Sequence, residues 1–275
     1  MIIHCVQTVN RMKTMNQRLF ALQSLSFFKK ITTFIAITLP IYLFSLTSAA
    51  YANLPRELRD LYFKAFSTYH KAFRPETKQS DREGIFQSAL KQINFVLKVA
   101  PTYEEALQLR SQINDSLGDK EGALKDINKA IKVNPTNPEN YSDRGEIYNP
   151  YIKSNWDKIL NDYKKAITLS TIGKDEYSDY SQASWYFYQR SSHYFYQRKD
   201  YDKALKDLNE ATKLIAFQFS DFSRRNIYRS LRSKTFLALG NIKAACYDYN
   251  LVKDRNPNYN FYFYGKNVQI IKDNC

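Results

Sequence analysis

Apolar residues recur along this chain at helical spacing, and the pattern repeats. Ala123, Ile127 and Ala130 stand at i, i+4 and i+7, which lines one face of a helix. The same face returns as Ala89, Ile93 and Val96, as Ile159, Tyr163 and Ala166, as Ala204, Leu208 and Ala211, and as Ala245, Tyr249 and Val252. The first position is alanine each time except at Ile159. Two helices approach closely only where side chains are short, so these rows predict the contact lines within and between helical hairpins. No unit of this size buries its own apolar face, and a stacked array is therefore expected in place of one globular core.

Polar positions mark the boundaries. Asp119, Asn155, Asp200 and Asn241 stand just before these helices, where a short oxygen side chain can accept from an unpaired backbone N–H. Pro101, Pro135 and Pro257 follow them, where proline cannot continue a helix. Glu121 with Lys125 and Asp202 with Lys206 add favourable i,i+4 pairs on the outer surface. The spacing predicts five hairpins, about 55–100, 103–136, 138–170, 175–215 and 221–256, closed by a capping helix at 258–275. The stretches 171–176 and 217–221 are the expected loosened joints.

The unit from Glu104 to Asn137 carries Leu107, Ser111, Gly118, Ala123, Ile127, Ala130 and Pro135 in a helix-turn-helix frame. It resembles the tetratricopeptide repeat family, whose unit is 34 residues. Ala89 to Ala123 and Pro101 to Pro135 keep that period; Ala123 to Ile159 is 36, Ile159 to Ala204 is 45 and Ala204 to Ala245 is 41. The resemblance implies an all-α, right-handed superhelical array of antiparallel helix pairs, less regular after Pro150. It further implies a noncatalytic scaffold whose first helices form a concave wall for a peptide or protein segment. The aligned groove positions are Glu105, Gln108, Gln112, Glu139, Ser142 and Glu146, then Tyr186, Gln189, Arg190, His193 and Tyr196, then Ser230 and Lys234. Of these, Glu139, Glu146, Tyr186, Gln189, Arg190, His193, Tyr196 and Lys234 are the candidate partner-binding residues. The wall thus begins acidic and becomes aromatic and basic. One subclass of the family clamps chaperone C-termini with Lys and Asn, and Gln, Glu, Ser and Asp at those positions here argue against that role.

The N-terminal stretch changes the expected location. Residues 1–52 hold Arg11, Lys13, Arg18, Lys29 and Lys30 and no acidic residue; an apolar run, Ile31 to Leu46, and Ala50-Tyr51-Ala52 follow. This is the layout of a secretory signal peptide with cleavage after Ala52. The alternative is a retained membrane anchor, since Ile31 to Ala52 spans 22 residues and a spanning helix needs about 20. Either topology sends residues 53–275 out of the cytoplasm, to the periplasm or another export compartment, and touches the membrane only through an uncleaved leader. Without the leader's five basic residues, 41 basic against 27 acidic falls to a net +9. Most of that excess reads as solvated helix surface. Cys246 and Cys275 remain beyond the leader, and export permits a disulfide, but spacing leaves the bond open.

Catalytic signatures are missing. There is no Gly-x-Ser-x-Gly, no His-Glu-x-x-His, no Cys-x-x-Cys and no glycine-rich phosphate loop, and only His70 and His193 lie beyond the leader. No enzyme activity, cofactor, metal or small-molecule ligand is expected. The densest local departure is Tyr177 to Tyr201, ten aromatics in 25 residues with Tyr-Phe-Tyr-Gln-Arg twice, at Tyr186–Arg190 and Tyr194–Arg198. It reads as core filling, as a sticky wall, or as both, because alternate aromatics on one helix cannot all point inward. An exported chain rarely meets nucleic acid, so no nucleic-acid partner is expected. A second reading, an accessory module for an anionic glycan or polymer, would use Arg190, Arg198 and Lys234.

Overall fold

The computed structural model describes residues 54–174, 179–216, 222–254, 270–271 and 273–275. The expected leader at 1–52, most of the expected cap and the stretches 175–178 and 217–221 at the expected joints lie outside them. Among the described residues there are ten α-helices and no strand. They are α1 (Arg56–Lys71), α2 (Arg82–Val99), α3 (Glu104–Ser116), α4 (Lys120–Val133), α5 (Pro138–Ile147), α6 (Trp156–Thr171), α7 (Ser181–His193), α8 (Tyr201–Ile215), α9 (Phe222–Ala238) and α10 (Ile242–Lys253). Consecutive helices pack as pairs, α1 on α2 through α9 on α10, and the second helix of each pair packs on the first helix of the next. First helices also touch one another, α1 with α3 and α3 with α5, so they share the inner wall of the array.

The three apolar rows supply this packing. Ala89, Ala123, Ala204, Ala245, Ile93, Ile127 and Leu208 are fully buried, as are Ala130, Ala166 and Ala211, while Ile159 and Tyr163 are nearly so. Tyr249 alone among these positions stays half-exposed. Where the short row is broken by Ile159, the facing first helix carries Gly145, buried and placed so that a Cβ there would meet the Tyr163 ring at 3.5 Å. In the second and fifth pairs a serine stands there instead, Ser111 donating to the Ala123 carbonyl and Ser233 to the Ala245 carbonyl. A glycine there leaves room for the Tyr163 ring between the two helices.

Asp119, Asp200 and Asn241 each accept from the backbone N–H three residues on, capping α4, α8 and α10. Asn155 does not. A 3₁₀ turn, Lys153–Asn155, runs straight into α6, which places Asn155 in helical geometry, and its amide donates to the Asn149 carbonyl. Just before the three caps the chain takes a left-handed residue: Gly118 and Gly240, but Lys199 in the fourth pair, at φ 56°. That pair is also one residue longer. Its extra residue is absorbed by a π turn, Tyr194–Arg198, closed by the Asp200 N–H on the Tyr194 carbonyl six residues back; the equivalent bonds of Asp119 and Asn241 reach back five.

Four of the five pairs carry an arginine-aspartate clamp. Arg110 grips Asp126, Arg144 grips Asp162, Arg190 grips Asp207 and Arg232 grips Asp248, each through two N–H···O bonds of 2.6–2.9 Å. Three also reach back to the preceding pair, on Asn94, Asn128 and Asn209. The aspartates are buried, and two-point guanidinium pairing satisfies them. The first pair has Thr68 and Gln92 in hydrogen-bond contact instead.

The C-terminal residues are tied to the last pair. Cys246 on α10 is bonded to Cys275, with Cα atoms 5.1 Å apart, and Ile271 is buried with Leu237 and Ala245.

Candidate functional site

The first helices present to the inner wall a stripe that again follows i, i+3, i+4, i+7. From α1 come Tyr62 and Phe66, from α3 Glu105, Gln108, Leu109 and Gln112, from α5 Glu139, Ser142, Asp143 and Glu146, and from α7 Gln182, Trp185 and Tyr186. Together with Ser181 and Arg224 they enclose a groove pocket of about 510 Å³. Its two ends are aromatic and its floor is acidic.

Side-chain amides stitch that floor. Gln108 donates to Asn140 at 2.9 Å and Gln112 to Asp143 at 3.1 Å, joining α3 to α5. Gln182 donates to Glu139 at 2.7 Å and Gln189 to Glu146 at 2.5 Å, joining α7 to α5. Beneath them Glu104 is buried and receives the amides of Asn134, Asn137 and Asn140. The α5 helix is thereby fixed from both sides, and its acidic face is held towards the pocket.

Desolvation dominates the electrostatics. Burial, with Glu146 and then Glu139 adding repulsion, pushes the Asp143 carboxyl up to about 7 despite the Gln112 hydrogen bond. Glu146 is open to solvent from the groove yet walled in by the concave surface, and desolvation raises it too. Desolvation likewise raises Glu105 and the Tyr186 phenol, the latter with added repulsion from Glu139, Asp143 and Glu146. Tyr186 is 2% exposed, and its hydroxyl makes no hydrogen bond among the described residues.

Of the residues assigned to partner binding from sequence, Glu139, Glu146 and Tyr186 line the pocket and Gln189 braces it. The other four lie elsewhere. Arg190, one residue past the groove stripe of α7, is turned to α8 and held by Asp207. His193 is 5% exposed and packs edge-on against Trp156 at 6.1 Å; burial, with Arg198 nearby, lowers its imidazole to about 4. Tyr196 sits in the π turn, 48% exposed, against Phe195. Lys234 is half-buried on α9, and desolvation lowers its ammonium. Arg198, named for an anionic polymer, pairs with Asp157 at 2.8 Å and lies over the Trp156 ring. Asp143, Gln182, Trp185 and the α1 aromatics were not read from sequence as groove residues. Asp143 was findable, since 139, 143 and 146 stand at i, i+4 and i+7.

Fold and groove define the class: an α-solenoid of stacked helix hairpins with a concave inner wall. The tetratricopeptide repeat model matches residues 104–137, which span the α3–α4 pair. No curated protein matches the chain. Among solved structures it is similar to PilW, a widely conserved type IV pilus biogenesis factor, at 14% identity over 75% of this chain and 81% of that one, TM-score 0.54. It is also similar to a putative kinesin light chain of Podosopora anserina with nearly identical TPR-like repeats, at 10% identity over 72% and 94%, TM-score 0.55. A thermophilic TPR protein of Thermus thermophilus shares 18% identity over 73% and 92%, TM-score 0.50. These likenesses place the chain in the tetratricopeptide-like fold. Among the described residues no helix is long and apolar enough to cross a membrane, and no cluster of three or more His, Cys, Asp or Glu side chains is placed to hold a metal ion.

Proposed function

We propose that the protein is a noncatalytic interaction scaffold that binds an extended or helical segment of a partner protein along the inner wall, on the extracytoplasmic side of a membrane. The observation that carries this reading is the pocket between α1, α3, α5 and α7, where aromatic side chains offer contact area at low conformational cost beside a few fixed polar groups. The leader layout of residues 1–52 supports the location. An anionic polymer gains nothing from the groove, because its floor is acidic and two of the cations assigned to such a ligand, Arg190 and Arg198, are held by Asp207 and Asp157.

A photo-crosslinking amino acid placed at Gln182 in the groove, and separately at exposed Lys129 on α4, tests the binding face. In native membranes and their extracts, adducts are expected from the groove position alone. Adducts only from Lys129, or from neither site, overturn the reading. N-terminal sequencing of the exported protein is expected to begin at Asn53; an intact start establishes an anchored chain.

A further inference from the structure

We propose that the groove pocket receives a lysine or arginine side chain projecting from an extended segment of the partner, an inference that rests on the groove reading above. Four carboxylates line the pocket, Glu105, Glu139, Asp143 and Glu146, against one guanidinium, Arg224. Arg224 donates to the Ser181 carbonyl and lies over the Trp185 ring. None of the four carboxylates has an ion-pair partner among the described residues. The contrast with the rest of the chain is sharp: each buried aspartate of a clamp has its own arginine, gripped at two points. Glu139, Asp143 and Glu146 each take one glutamine N–H, while an ionised carboxylate offers about four acceptor sites.

The second, independent observation is the Tyr186 hydroxyl. It belongs to a lining residue that is 98% buried, and among the described residues it neither gives nor accepts a hydrogen bond. Buried phenols usually find partners, and among the described residues this oxygen has none. Carboxylate acceptors and an unpaired phenol oxygen together suit a donor of several N–H bonds, which an ammonium or guanidinium is. The aromatic walls suit the remainder of such a side chain: Tyr62 and Phe66 at one end and Trp185 and Tyr186 at the other can cover its methylene stem and attract its charge.

The test uses an immobilised library of nine-residue peptides in which each position is varied through all residues, followed by fluorescence anisotropy on the selected sequences. The protein is the full chain and its Glu139→Gln/Asp143→Asn/Glu146→Gln variant. The expected result is selection of Lys or Arg at one position, with affinity lost by at least about 30-fold in the variant or when the base is replaced by norleucine or citrulline. Gln112→Arg keeps every carboxylate but sets a guanidinium beside Asp143, so it should weaken the same peptides even if the triple variant misfolds. Selection of neutral or acidic peptides that Gln112→Arg leaves unaffected overturns the cation proposal. If they still compete with a groove crosslink at Gln182, the groove reading survives. Binding of spermidine or Ca²⁺ to the same carboxylates without any peptide, or no binding at all, overturns both.

Discussion

Asp143→Asn should stabilise the protein at alkaline pH and do little at acidic pH. The folded carboxyl is held up to about 7 against an ordinary 3.8, chiefly by desolvation. The folded state therefore binds its proton more tightly than the unfolded chain does. Stability is accordingly lost as pH rises from about 4 and levels off above 7. At 1.36 kcal/mol per unit, a shift of about three units sets a ceiling of about 4 kcal/mol at pH 8, about 2 at pH 5 and well under 1 at pH 4. Water entering from the open side of the groove reduces these values, and about 2 kcal/mol at pH 8 is the expected effect. Asparagine keeps a carbonyl to accept from Gln112, so the α3–α5 stitch survives.

Thermal and urea unfolding followed by far-ultraviolet circular dichroism at pH 4, 5 and 8 measures this directly. For a chain of this size about 2 kcal/mol corresponds to a Tm increase of roughly 4–8 °C. A difference between variant and parent that stays constant with pH would refute desolvation as the cause. So would a parent more stable than the variant at pH 8, since it would make the ionised carboxylate a structural asset.

Other substitutions probe the frame. Lys199→Gly should raise the urea midpoint by an amount equivalent to about 1 kcal/mol, because Lys199 holds the left-handed conformation that Gly118 and Gly240 take in sister pairs; Lys199→Ala should not. Arg232→Met leaves the fully buried Asp248 carboxylate unpaired and should cost about 3–5 kcal/mol, while Arg232→Met/Asp248→Leu should recover most of it in the same melts. Reducing the Cys246–Cys275 bond, which closes a separation of 29 residues, should cost about 3–4 kcal/mol and speed proteolytic trimming from the C-terminus, read by mass spectrometry.

What could be read from the sequence was whatever packing forces to be periodic. The rows through Ala123, Ile127 and Ala130 had to repeat because each helix meets the next along them, and the caps at Asp119, Asp200 and Asn241 had to follow a reversal of chain. The clamps use equally regular residues, yet their partners lie 16, 18, 17 and 16 positions apart. Turn length varies between pairs, and only folding shows which arginine meets which aspartate. The same variation misplaced Asn155, whose turn becomes 3₁₀, and His193. On a helical wheel His193 shares the stripe of Gln182, Tyr186 and Gln189, but α5 stops at Ile147 and Trp156 meets it beyond. The Cys246–Cys275 bond was illegible for a simpler reason: sequence gives no distance between Cα atoms.

Two sets of acidic residues, the clamp aspartates and the groove carboxylates, differ in a way that bears on what the groove is for. Asp126, Asp162, Asp207 and Asp248 are buried, each gripped by its own arginine. Asp143 and Glu146 have no such cation among the described residues, and desolvation raises both, so the free protein is stabilised by protonating them. A positive side chain entering the pocket must reverse that sign, because it binds the ionised carboxylates and holds them ionised. These carboxylates thus give two opposite slopes: between pH 5 and 7 their contribution to the stability of the free protein should fall as pH rises, while the affinity for a basic peptide should increase and level off above about 7. Anisotropy titrations from pH 5 to pH 8 read the second slope. Affinity that is flat or falls across that range would show that these carboxylates are not where the partner's charge rests.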